Sequence, residues 1–145
     1  MKILNQQIFE NKEAAALPGL MESGGLPALV SGLSGIHRVN LAAALYERLE
    51  LPMFVVCPDD SSAESFSRDL EAMLGRPVNT LYSRDFTFYP SLAASREAEQ
   101  KRLYVLNALR CGESPVTVAT VSALMQRAIP PQTLGKAAFT VKDGE

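Results

Sequence analysis

Leu26-Pro27-Ala28-Leu29-Val30-Ser31 is a short apolar run, Gly32-Leu33-Ser34-Gly35 is a turn, and from residue 39 to 50 the period turns helical, with Leu41, Leu45 and Leu49 on one face. Strand, glycine turn, helix is an α/β opening, and the rest of the chain repeats the alternation. Met53-Phe54-Val55-Val56-Cys57 reads as a second buried strand closed by Pro58. Ser61 and Glu64 have the S-x-x-E spacing of a capping box, and the helix behind them carries Ala63, Phe66, Leu70, Met73 and Leu74 on one face. Gly75 ends that helix, with Pro77 just beyond. Further strands are expected near 78–82, 116–120 and 137–141, besides those near 28–31 and 53–57. Helices are expected over 95–110 and 122–129, the second stopped by Pro130-Pro131. The fold class that follows is α/β: a mostly parallel sheet with helices on both faces.

The turn invites a more specific reading. A phosphate-binding loop has the pattern G-x-x-x-x-G-K-[ST] between a strand and a helix. Its backbone N–H groups cradle phosphates, the lysine reaches the terminal oxygens, and the hydroxyl holds magnesium. Aligned on Gly32, with Ser34 and Gly35 inside the loop, this chain places His37 at the second glycine, Arg38 at the lysine and Val39 at the hydroxyl. A histidine side chain crowds the space that glycine leaves open. Arg38 keeps the charge as a planar fork and not as a point charge on a flexible stem. Val39 cannot ligate magnesium. A plain tight turn before a helix accounts for the same residues, and with three signature positions failing it is the reading the pattern alone favours.

Other candidates point to structure before chemistry. His37 is the sole histidine, so two-histidine metal sites are out. Asp59 and Asp60 follow a strand end, where carboxylates can bind metal but more often open a helix and complement its dipole. Cys57 reads as an inert core thiol. Phe86, Phe88 and Tyr89 could stack on bases, yet no Lys/Arg cluster is interleaved with them, so loop packing is the better account. Arg96, Lys101, Arg102 and Arg110 share a helix with Glu97 and Glu99, which reads as a solvated mixed face.

Bulk composition agrees with a cytoplasmic globular domain. Hydrophobic residues make up 47%, charged residues 21%, and the net charge is −2, so charge alone attracts neither nucleic acid nor an anionic membrane. Two cysteines make no disulfide framework. Residues 1–16 lack the apolar core and cleavage site of a signal peptide. No stretch approaches the roughly 18 apolar residues of a membrane span. Lys142-Asp143-Gly144-Glu145 follows the last expected strand as the opening of a hairpin, so the chain reads as a fragment of a longer protein.

Three segments fall in a familiar order: Gly32-Leu33-Ser34-Gly35 with its helix, Phe86-Thr87-Phe88-Tyr89-Pro90, and Val118-Ala119-Thr120-Val121-Ser122-Ala123-Leu124-Met125-Gln126-Arg127. That order resembles the N-terminal, UvrB-like module of bacterial transcription-repair coupling factors, and it covers most of 26–145. The resemblance implies a P-loop NTPase-like fold, similar to UvrB domain 1, with a degenerate phosphate loop at Gly32, Ser34, Gly35, His37, Arg38 and Val39. It implies a division into 1–25 as an N-terminal helical or linker segment, 26–141 as the UvrB-like domain, and 142–145 as the start of a following domain. It further implies no catalytic residue, metal or cofactor here. ATP and magnesium belong to motor domains elsewhere in a parent DNA translocase, whose partners are RNA polymerase, UvrA and double-stranded DNA. The UvrA-contacting surface belongs to the next domain. UvrB itself is the poorer match, because an intact Gly-Lys-Thr and a Tyr-rich hairpin are missing. The alternative is a small atypical P-loop NTPase or kinase. That would need a magnesium carboxylate, for which Asp59 and Asp85 are the only plausible residues, and a hydroxyl that position 39 does not supply.

Overall fold

Val116–Thr120 is buried at every position, which only a strand flanked by strands and covered on both faces can be. In the computed structural model, which describes residues 7–83 and 96–138, this strand (β3) is the centre of a three-stranded sheet. Met53–Cys57 (β1) lies on one side and Asn79–Leu81 (β2) on the other, both parallel to β3. The register sets Met53 opposite Val116, Cys57 opposite Thr120 and Leu81 opposite Ala119.

Helices cover both faces. Val116 and Val118 point to one side, where they meet Cys57, with Met53 and Val55 against the same cluster. Val39 and Ala43 of α2 (Gly35–Leu49) and Ala63 and Leu70 of α3 (Asp60–Leu74) close that layer. On the other side Ala119 and Leu81 pack with Val105 of α4 (Arg96–Cys111) and Ala123 of α5 (Val121–Met125). A preceding helix, α1 (Lys12–Glu22), follows a short 3-10 turn (Ile8–Glu10) and leans on α2. The last described helix is α6 (Pro131–Ala137).

The parallel α/β sheet agrees with the sequence expectation, as do the strands at 53–57, 116–120 and, shortened to 79–81, near 78–82. The expected strand near 28–31 is a correction. Residues 25–34 form neither helix nor strand, and Leu29 is 95% exposed. An apolar run becomes a strand only where another strand's edge accepts its backbone groups, and none of the described strands pairs with it. β1 is buried on one face only: Phe54 and Val56 are about half exposed, since the helix on that side lies over β2 and β3.

The ends of the chain also differ. Helix α1 runs through Pro18-Gly19, although a Pro-Gly pair ordinarily marks a turn; Pro18 is buried and Asn11 caps the helix by accepting from Glu13 N–H at 2.8 Å. The helix expected over 122–129 spans only Val121–Met125, so Pro130-Pro131 does not stop it; Pro131 instead starts α6 at a position where its missing N–H costs nothing. Ala137, expected to open a fifth strand, closes that helix, and 139–141 lie outside the described residues.

Helix α2 ends on Glu50 with φ 52°, a left-handed conformation that favours glycine, and Glu50 N–H still donates to the Tyr46 carbonyl at 3.0 Å. Glu50→Gly is therefore expected to raise stability by about 0.5–1 kcal/mol in chemical denaturation. A lowered midpoint would show that the Glu50 side chain outweighs the backbone strain.

Candidate functional site

The residues of the suspected phosphate loop lie together at the N-terminus of α2. Gly32 takes φ 80°, the left-handed turn that its missing Cβ permits. Ser34 is the N-cap residue, with extended backbone at φ −76° and ψ 171°. Its hydroxyl does not cap the backbone; it pairs with His37 Nδ1 at 2.7 Å. Arg38 folds back, its Nε donating to the Leu33 carbonyl at 3.1 Å, and its own N–H donates to the Ser34 carbonyl at 3.1 Å.

The helix begins at Gly35, four residues before the helical period becomes visible in the sequence. His37, Arg38 and Val39 are thus inside the helix, and only Leu33 and Ser34 separate Gly32 from it. Val39 is 2% exposed and belongs to the apolar cluster beneath the sheet, so position 39 faces the core. A threonine there would bury its hydroxyl among hydrocarbon. The site offers the exposed first-turn N–H groups of a helix, a serine–histidine pair and a guanidinium turned back on its own loop. The first-turn amides favour negative charge weakly.

Asp59 is the N-cap residue of α3, its carboxylate accepting from Ser62 N–H at 2.8 Å. The capping reading of Asp59 and Asp60 is the right one, but the Ser61–Glu64 box is not formed, because the cap falls two residues earlier, on Asp59, and the helix starts at Asp60. The Ser62 backbone hydrogen bond, followed by the Ser62 hydroxyl, holds the Asp59 carboxyl below its ordinary value. A carboxylate depressed in the folded state stabilises it above the unfolded pKa and loses that contribution as pH falls through the folded value. Asp59→Ala is thus expected to lower the Tm near neutrality, with the difference from the native chain shrinking only once pH falls below the unfolded carboxylate value of about 3.9. A difference that stays constant below that value would mean the carboxylate charge does not contribute.

Asp60 is approached by the Ser83 hydroxyl at 3.4 Å. Asp85, Phe86, Phe88 and Tyr89 lie outside the described residues. Cys57 is buried, and burial, followed by the Asp59 charge, pushes its thiol up, consistent with an inert core thiol. Among the described residues no three His, Cys, Asp or Glu side chains gather as metal ligands.

The mixed-face reading of α4 holds for Lys101, whose ammonium meets Glu97 at 2.8 Å in solvent, and for Arg110, which is exposed and donates to Asn107 Oδ1. It fails for Arg102, which is only 5% exposed. Arg102 Nη1 donates to the Tyr82 carbonyl at 2.8 Å and Nη2 to the Ala123 carbonyl at 3.1 Å. The guanidinium ties the chain just beyond β2 to α5, across the top of the sheet. The described grooves lie along β2, away from the glycine turn. One of about 660 Å³ includes Ser67, Arg68, Arg76, Thr80 and Tyr82 in its lining, with the Ser67 and Thr80 hydroxyls 2.7 Å apart. Sequence reading did not find this surface.

No family model matches the chain, and no solved structure matches it. Among curated proteins, the transcription-repair-coupling factor of Bacillus subtilis (strain 168) is 30% identical over 135 residues, which cover 89% of this chain and 11% of that protein. Among the described residues no helix is long and apolar enough to cross a membrane. Over nearly its whole length, the chain is related to one small part of a transcription-repair-coupling factor.

Proposed function

We propose that this chain is a non-catalytic, UvrB-like scaffold domain at the start of a transcription-repair coupling factor. The relationship to the Bacillus subtilis protein supports the parent, and the burial of Val39 in the core supports the non-catalytic role. With a valine facing inward at the hydroxyl position and Arg38 engaged by Leu33, a bound nucleotide would lack both its magnesium ligand and its lysine contact. In this reading residues 26–141 form the UvrB-like unit, and the vestigial loop needs no ATP, magnesium or other cofactor. The parent translocates on double-stranded DNA in the cytoplasm with ATP burned elsewhere, displaces stalled RNA polymerase and recruits UvrA for excision repair.

Calorimetry with Mg-ATP on this chain tests the proposal against an atypical P-loop NTPase or kinase. No binding is expected below millimolar concentration, and no hydrolysis above background. Losing several charge-assisted hydrogen bonds, each worth roughly 1.5–3 kcal/mol, removes useful affinity. Low-micromolar binding would overturn the proposal in favour of the enzyme.

A further inference from the structure

We draw no further inference here: the strongest candidate, the exposed apolar face of edge strand β1 formed by Phe54 and Val56, carries nothing because nothing in the structure shows what covers it.

Discussion

Leu70→Ala is expected to cost about 3 kcal/mol of folding stability and roughly 10 °C in Tm. Leu70 is 0% exposed and is the largest fully buried side chain among the described residues. It sits in α3 between the sheet and α2, in one cluster with Val39, Ala43, Val116 and Val118. Truncation removes its transfer free energy and leaves a cavity that these neighbours cannot close. The rims of that cavity are β3, locked in ladders on both sides, and two helices already in contact. Since a domain is stable by about 5–15 kcal/mol, the loss is a large fraction of the total. Leu70→Met, which nearly conserves volume, is expected to cost less than about 1.5 kcal/mol. Equal losses for the two variants in urea denaturation would show that shape, not the cavity, governs the site.

Leu70 was legible in the sequence because its helix announces itself. Ala63, Phe66, Leu70, Met73 and Leu74 recur at helical spacing, and Gly75 closes the helix in the left-handed conformation, with φ 65°. β3 was equally legible, since five consecutive residues fit a strand buried on both faces. The run 26–31 carries a similar local signal and forms no strand, because strand formation is decided by pairing with a distant edge that the run itself does not encode. The start of α2 was hidden for another reason. Its first turn has Ile36 half exposed and Ser34, His37 and Arg38 bonded locally, so it adds no apolar period ahead of Leu41. That shift of one turn changes the site, because it moves Val39 from the mouth of a loop into the core. At α3 two capping patterns overlap by a short offset, and Asp59 prevails over Ser61. Pro58 closes β1 just ahead, and Asp59, with φ −144° and ψ 169°, is the last extended residue before the helix.

Arg102 is the case where residue type misled and spacing would not have. Arg102, Val105, Leu106 and Leu109 stand at i, i+3, i+4 and i+7, one face of α4, and the last three pack in the inner cluster. Lys101 and Tyr104 occupy the exposed side. The charge belongs to the buried stripe because two carbonyls wait for it, at Tyr82 and Ala123. Arg102→Ala is expected to cost about 2–4 kcal/mol, because it strips these carbonyls of their donors and removes the packed stem. Arg102→Met separates the two contributions, since it keeps a stem of similar reach and no donor. If hydrogen bonding dominates, the methionine variant loses most of what the alanine variant loses. Amide exchange then quickens at the end of β2 and in α5, the two elements the guanidinium joins. Arg102→Lys restores charge without the fork that serves two carbonyls at once, and it is expected to recover only part of the stability. Native stability in both the alanine and methionine variants would show that the two carbonyls find water as good a partner as the guanidinium, and that Arg102 is buried without holding the top of the sheet together.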